Sequence, residues 1–168
     1  PGAHRSRMPA DDAVTPLRLA MWSGPRNIST AMMRAFENRP DTVVWDEPFY
    51  AHYLRQTGLD HPGRDEIIAA HDAEWQSVAK ALVGPPPGGA SVFYQKHMTH
   101  HLLPAIDRDW LDKVVHAFLI RDPAEVLASY SKVRADVTLD DLGLEQQVAI
   151  FDHERSLRPD DLPRFLHS

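Results

Sequence analysis

The sequence lacks cysteine altogether among its 168 residues. Such a chain forms no disulfide, offers no thiolate to a metal ion and has no cysteine nucleophile. It also lacks an apolar run near the roughly 20 residues that a membrane-spanning helix needs, and no apolar centre of a signal peptide follows the N-terminus. We therefore expect a cytoplasmic protein that has no membrane partner.

Positively charged residues are fewer than negatively charged ones: the sequence has 18 Lys and Arg residues, 24 Asp and Glu residues and a formal net charge of −6. This balance argues against a broad nucleic-acid surface, although a local basic cluster can still bind a small anion. A hydrophobic fraction of 43% suits one globular domain, which we place at residues 17–168. Residues 1–16 show no periodicity, and we expect a disordered segment or the remnant of an expression tag.

The stretch from Leu17 to Glu37 is typical of a strand, a loop and a helix. Apolar residues run to Trp22, and a helical pattern begins at the Ser29–Thr30 pair. The N–H groups and the dipole of a helix N-terminus attract anions, and an arginine in the loop adds a full positive charge. We predict an oxyanion site formed by Ser23, Gly24, Pro25, Arg26, Asn27, Ile28, Ser29 and Thr30.

The identity of the oxyanion is open at this point. A phosphate-binding loop for ATP or GTP needs a second glycine followed by lysine and Ser or Thr, and this loop has Asn27-Ile28-Ser29-Thr30 instead. The alternative is an ordinary structural turn in which Ser29 or Thr30 only caps the helix.

Further strands are predicted at Thr42–Trp45, Ser91–Lys96 and Val114–Ile120 from their apolar and β-branched content. A long helix is expected from Asp65 to Leu82, and a last helix at Leu144–Leu157 with Val148 and Phe151 buried. Met32 and Phe36 of the first helix are expected to pack in the protein core. Residues 158–168 show no clear pattern. After the fourth strand, Asp122 and Pro123 are the favoured N-cap and first residue of another helix.

Alternating strands and helices predict an α/β fold with a parallel sheet flanked by helices. Ligands of such sheets lie at the carboxyl ends of the strands. That edge would collect four features, namely the loop at 23–30, the Asp46-Glu47 pair, the Lys96-His97 pair and Arg121.

Arg121 and Ser129 are predicted to form a second anion site. Arg121 ends a strand, and Ser129 lies two turns into the following helix on the same side as Asp122. Two anion sites suggest a doubly phosphorylated nucleotide. The alternative is a surface arginine at a helix N-terminus with a serine that faces solvent.

These two motifs resemble the sulfotransferases that use 3′-phosphoadenosine-5′-phosphosulfate (PAPS), in particular the bacterial type of this P-loop NTPase-like fold. The resemblance implies that SGPRNIST binds the 5′-phosphosulfate and that Arg121 and Ser129 of RDPAEVLAS bind the 3′-phosphate. It implies PAPS as co-substrate without a required metal, and a small-molecule acceptor with a hydroxyl or an amine. The family's basic, glycine-containing loop near the C-terminus has no evident counterpart, and the alternatives are a fragment, a shortened variant and a degenerate member of the family.

The resemblance also implies catalytic roles. Arg26 replaces the loop lysine of the cytosolic branch and supplies the same charge with a different geometry. The segment WDEPFYAHYL places Glu47 as the base, with His97 as the second choice, and Lys96 assists Arg26. Without a catalytic role, Glu47 would only pair with Arg26 or Arg55.

Two other functions stay open. One is a magnesium-dependent small-molecule kinase with the metal at Asp46 or Asp122, and the other is a non-catalytic nucleotide-binding module. A metal site at His97, His100 and His101 is not favoured, because no other ligand cluster accompanies them. An acceptor pocket is expected from Trp45, Phe49, Tyr50 and Tyr53, and the oligomeric state is open, with a homodimer as one alternative.

Overall fold

The computed structural model describes residues 15–132, 138–157 and 164–167. Their strands form one parallel sheet of five strands in the order β2-β3-β1-β4-β5. The strands are β1 (Leu17–Ser23), β2 (Thr42–Asp46), β3 (Val92–Met98), β4 (Val115–Ile120) and β5 (Arg164–His167). The predicted α/β fold with a parallel sheet is confirmed.

Helices connect these strands and cover the sheet. They are α1 (Ser29–Glu37), α2 (Tyr50–Thr57), α3 (Arg64–Ala70), α4 (Trp75–Val83), α5 (Pro123–Tyr130), α6 (Leu139–Leu142) and α7 (Leu144–Leu157). Single 3₁₀ turns lie at Pro87–Gly89, Thr99–His101 and Leu111–Lys113. The predicted Asp122 cap of α5 is confirmed, because its Oδ1 accepts a hydrogen bond of 2.8 Å from the Ala124 N–H.

The predicted long helix from Asp65 to Leu82 is wrong, since α3 and α4 are separate helices. His71 has extended backbone angles, and Asp72 Oδ1 accepts a hydrogen bond of 2.8 Å from the Glu74 N–H. An aspartate that bonds the backbone two residues ahead favours a turn over a continuing helix. Helix α3 has no buried residue, whereas Val78, Ala79 and Leu82 of α4 are buried, so the two helices do not share one buried face.

The core lies on both faces of the sheet. One cluster contains Trp22, Phe93 and Phe118, and the opposite cluster contains Met21 and Tyr94. The side chains of neighbouring residues in one strand therefore pack in opposite clusters, as the alternation of side chains along a strand requires. The sheet is buried on both faces, which suits its all-parallel pairing.

Three predicted core residues are less buried than expected. Met33 is the fully buried methionine of α1, whereas Met32 and Phe36 are partly buried against the same cluster. On α7, Val148 is 58% exposed and Ile150 is buried. The packing of α7 against the rest of the protein decides which of its faces is buried, and the sequence of the helix alone does not show that packing.

Two predictions concern segments that the structure describes only in part. Residues 1–14 of the predicted N-terminal segment lie outside the described residues, and so do residues 158–163 of the tail. The later tail residues form β5, which the sequence did not predict, paired in parallel with β4. Phe165 of this strand packs against Phe151 with ring centroids 5.1 Å apart.

Candidate functional site

The loop after β1 approaches the rest of the chain closely. A Cβ atom on Gly24 would lie 2.8 Å from the carbonyl oxygen of Leu142, so only glycine fits there without a shift. Helix α1 begins at Ser29, and its N-cap residue Ile28 makes no side-chain capping hydrogen bond. Neither Ser29 nor Thr30 therefore caps the helix. The N-cap residue therefore leaves the first N–H groups of α1 without a side-chain cap of its own, and a helix N-terminus of this kind suits an anion.

Arg26 connects the two predicted anion segments. It has a φ of 62°, and its Nε donates a hydrogen bond of 3.1 Å to Ser129 Oγ. Arg121 donates from Nη1 to the carbonyl oxygen of Arg26 at 2.9 Å and from Nε to Glu125 Oε2 at 3.1 Å. Residues that lie about a hundred positions apart in sequence are thus in direct contact. Two guanidinium groups and one hydroxyl meet in one region at the carboxyl edge of the sheet.

The tips of β2 and β3 carry a lysine between two carboxylates. Lys96 Nζ donates to Asp46 Oδ1 at 2.7 Å and to Glu47 Oε1 at 2.6 Å. The Lys96 side chain is buried, and burial alone would lower its pKa. The hydrogen bonds to the two carboxylates outweigh burial, so the pKa of Lys96 is raised and the ammonium group stays charged.

Glu47 is held at an unusual backbone angle. Its φ of 47° lies in the left-handed region, where a residue other than glycine is strained. The Glu47 N–H donates to the Lys96 carbonyl oxygen at 2.9 Å, and the Glu47 carbonyl oxygen accepts from the Tyr50 N–H at 2.9 Å. The predicted alternative partners are not used, because Arg26 bonds Ser129 and Arg55 pairs with Glu74. The strand tip thereby fixes where the carboxylate lies.

His97 does not lie in the site. It is 1% exposed, and its ring stacks on Trp22 with centroids 4.4 Å apart. Burial, with a further contribution from His116, lowers the pKa of His97 to about 3. A neutral imidazole inside the core has no access to an acceptor, so the geometry disfavours His97 as the base. The reason is that β3 continues to Met98, and the alternation along the strand turns His97 toward the core.

His101, and not the predicted His97, lies beside the Glu47 carboxylate. Its Nδ1 lies 4.0 Å from Glu47 Oε2, which is too long for a hydrogen bond, and has no hydrogen-bond partner among the described residues. Burial, followed by the neighbouring His100, Lys96 and His97, lowers the pKa of His101 well below its usual value. Burial also lowers the pKa of His100 to about 4. Both rings are neutral at pH 7.

A cleft of about 760 Å³ lies in front of Glu47. It extends from Pro25 of the loop to the turn after α2, and the predicted residues Tyr50 and Tyr53 line it. Phe49 was also expected there but is buried in the core. Trp45 instead borders a second cleft of about 400 Å³, which Glu47 borders as well.

Sequence reasoning missed several residues of the larger cleft. Tyr130 follows Ser129 directly, and His100 and His101 follow β3, so their positions at the carboxyl edge were a usable signal. Asp60, His61 and Asp141 gave no such signal. They reach the cleft through the turn between α2 and α3 and through helix α6, and tertiary packing alone sets those positions.

The described residues contain neither a metal-binding cluster nor a membrane-spanning helix. No group of three or more His, Asp or Glu side chains in residues 15–132, 138–157 and 164–167 is placed to hold a metal ion. Within the same ranges, no helix is both long enough and apolar enough to span a membrane.

The fold and the site together define an α/β protein with an uncapped strand–loop–helix segment, two arginines beside it and a carboxylate-bordered cleft. The family model of the sulfotransferase domain matches residues 17–161 of this chain, and the chain belongs to that family. The match includes β1, the loop and the segment from Arg121 to Ser129.

Two relatives from Arabidopsis thaliana are similar to the chain. They carry the names branched-chain-amino-acid aminotransferase-like protein 1 and protein 2, and they are 36% and 33% identical to it over 130 residues. Each match covers 77% of this chain but 23% of the relative. The chain thus spans less than a quarter of the length of these relatives.

Proposed function

We propose that this protein is a sulfotransferase that moves a sulfuryl group from PAPS to a hydroxyl or an amine of a small-molecule acceptor. The observation that carries the proposal is the contact between the two anion segments. Arg26 bonds Ser129, and Arg121 bonds the backbone of Arg26, directly beside a cleft that Glu47 borders. A donor with two separated anionic groups needs two cationic sites of this kind at one edge.

The residues present fit such a donor. The uncapped N-terminus of α1 and the guanidinium of Arg26 would hold the phosphosulfate end, and Ser29 and Thr30 would add hydroxyl groups. Arg121 and Ser129 would hold the 3′-phosphate. Guanidinium groups are suited to this because their planar donors bind two oxyanion oxygens at once. PAPS supplies the sulfuryl group and a phosphate leaving group when it is bound.

Glu47 is the proposed base. Lys96 occupies its Oε1, so Oε2 is the atom left for the acceptor's proton. The acceptor oxygen or nitrogen forms a bond to sulfur, the bond from sulfur to the bridging oxygen breaks, and the proton moves to Glu47 Oε2. Arg26 stabilises the negative charge that develops on the bridging oxygen.

The kinase alternative has less support from the carboxylates that it requires. Asp46 is bonded to Lys96, and Asp122 caps α5. Each aspartate therefore already accepts a hydrogen bond from another described residue. Catalysis by this chain, its predicted cytoplasmic location and a homodimer stay predictions, and so does the alternative of a non-catalytic nucleotide-binding module.

Isothermal titration with 3′-phosphoadenosine-5′-phosphate, the product nucleotide, tests the proposal. We expect binding that is lost in Arg121→Ala, with ATP plus magnesium as the weaker comparison ligand. Arg39→Ala is the matched control, because Arg39 pairs with Asp41 at the opposite edge of the sheet. Preference for ATP with magnesium would favour the kinase, and bisphosphate affinity that is equal in both arginine variants would contradict the proposed 3′-phosphate site.

A further inference from the structure

The wall of the larger cleft is built from aromatic rings. Tyr50 and Tyr53 lie 4.9 Å and 4.7 Å from the ring of His101, measured between centroids. His61 packs edge-on against Tyr50 at 5.8 Å, and His100 packs edge-on against Tyr53 at 5.4 Å. The five rings form one connected surface. Aromatic faces carry partial negative charge, and this surface is suited to a cation.

The charged side chains of the cleft have one sign. Asp60, Asp141 and Glu47 line it, and no lysine or arginine lines it in the part of the chain that the structure describes. Lys96 lies behind Glu47 and already holds that carboxylate and Asp46. The imidazoles of His100 and His101 add no positive charge, because burial lowers the pKa of His100 to about 4 and that of His101 well below its usual value. The field in the cleft is therefore negative.

Two buried polar atoms in this wall, His100 Nδ1 and His101 Nδ1, have no hydrogen-bond partner among the described residues, and that of His101 lies nearest the proposed base. His101 is 4% exposed, and its Nδ1 has no hydrogen-bond partner among the described residues. Buried polar atoms are nearly always hydrogen-bonded in native proteins, so an exception at the wall of a cleft indicates a bound group. A hydroxyl or an amine that approaches Glu47 Oε2 lies within reach of this nitrogen.

We propose that the acceptor is a small molecule with a nucleophilic hydroxyl or neutral amine at one end and a separate positively charged group at the other, and that this cationic end lies against the rings of Tyr50, Tyr53 and His61 near Asp60. This inference rests on the proposed function and names its acceptor class. The two substrates then differ in sign, because the donor is anionic and its segments carry Arg26 and Arg121. Opposite fields in the two halves of the site keep each substrate out of the other's half.

Calorimetric titration of the full chain with choline tests the inference, in the presence of the product bisphosphate nucleotide. The comparison probe is 3,3-dimethylbutan-1-ol, which has the same shape without the charge. We expect choline to bind about tenfold or more tightly than the neutral alcohol, as cation–π contact in a desolvated site implies. Equal binding of the two alcohols, tighter binding of the neutral one or no binding of choline would overturn the inference.

A variant pair locates the effect. Asp60→Asn should weaken choline binding up to about fivefold and leave the neutral alcohol unchanged. Asp152→Asn is the matched control, since Asp152 is exposed on α7 and does not line the cleft. An equal loss in both variants would overturn the assignment to Asp60.

The outcome separates this inference from the proposed function. Nucleotide binding without a preference for the cation would overturn the acceptor class and leave the sulfotransferase proposal intact. A preference for choline without nucleotide binding would support a cation site and contradict the sulfotransferase proposal.

Discussion

At the scale of single residues, the site depends on one buried lysine between two carboxylates. The Lys96 side chain is 4% exposed, whereas those of Asp46 and Glu47 are 50% and 26% exposed. Water can reach the carboxylates but not the ammonium group. Loss of the carboxylates should therefore destabilise the fold more than loss of the lysine. Of the two carboxylates, only that of Glu47 lines the larger cleft.

Glu47→Gln tests the proposed base. We expect kcat for sulfuryl transfer to fall roughly 10²- to 10⁴-fold, because the amide cannot take the acceptor's proton. Affinity for the bisphosphate nucleotide should stay within about threefold, since Glu47 does not belong to the anion segments. Asp46→Asn is the control, as it bonds the same lysine outside the larger cleft, and it should keep most of the turnover. Full activity of Glu47→Gln would remove the carboxylate from the mechanism.

The exposure difference also predicts an asymmetry in stability. Lys96→Met leaves two carboxylates that water can solvate, and we expect the free energy of unfolding to fall by about 1–2 kcal/mol. The double variant Asp46→Asn, Glu47→Gln leaves a buried ammonium group without a counter-charge and should cost roughly 3–5 kcal/mol. Urea unfolding at pH 7 measures both. Equal losses would show that the buried ammonium is not the sensitive member of this cluster.

At the scale of elements, the joint between α6 and α7 lies over the site. Leu142 contacts the loop at Gly24, and a Cβ atom on Gly143 would lie 2.4 Å from Thr99 Oγ1 and 2.7 Å from the His100 backbone nitrogen. The same joint thus touches the anion loop and the turn that carries His101. The packing of this joint against both segments therefore connects the donor half of the site with the acceptor half.

Gly143→Ala tests this joint. The substitution places a side chain at a φ of 64° and against the 99–101 turn, and we expect a loss of at least about 2 kcal/mol in the free energy of unfolding. Gly58→Ala is the matched control, because its φ is 66° and no atom lies within 4 Å of the added Cβ. It should cost only about 1 kcal/mol. Comparable losses, measured by thermal denaturation, would argue against close packing at the joint.

The elements also show which parts of the fold a sequence can predict. The strands β1, β3 and β4 were predictable because apolar runs with turn residues at their ends are local features. The break at His71–Glu74 was not, since the helical period continues across it, and β5 was not, since four residues carry too little pattern. Whether a strand ends at Lys96 or at Met98 decided the orientation of His97, and the neighbouring strands set that end.

At the scale of the whole molecule, the proximity of Arg121 and Ser129 was predictable from their spacing along one helix. Arg121 and Ser129 share a helix-start motif, and the structure brings both to Arg26. The partner of Glu47 was not predictable, because the register between β2 and β3 places Asp46 opposite Lys96. The cleft likewise depends on which turns pack at the carboxyl edge, and such packing leaves no local signal.

The buried His97 and His101 and the partly buried His100 make the stability of the whole molecule depend on pH. Burial lowers the pKa of His97 to about 3 and of His100 to about 4 from the ordinary value of 6.5, and that of His101 is lowered as well. Between 6.5 and these lower values, the unfolded chain binds more protons than the folded protein. The free energy of unfolding is therefore complete above about pH 6.5 and falls as the pH decreases, by up to about 1.4 kcal/mol per pH unit for each histidine.

Urea unfolding at pH 7, 6 and 5 measures this slope, in a range above the usual titration of carboxylates. His97→Phe keeps a ring against Trp22 and removes one of the three groups, so the slope between pH 6 and pH 5 should become shallower by roughly 1 kcal/mol per pH unit. A slope that does not change would mean that His97 already binds a proton in the folded protein. That result would contradict its burial in the core and would reopen its candidacy as the catalytic base.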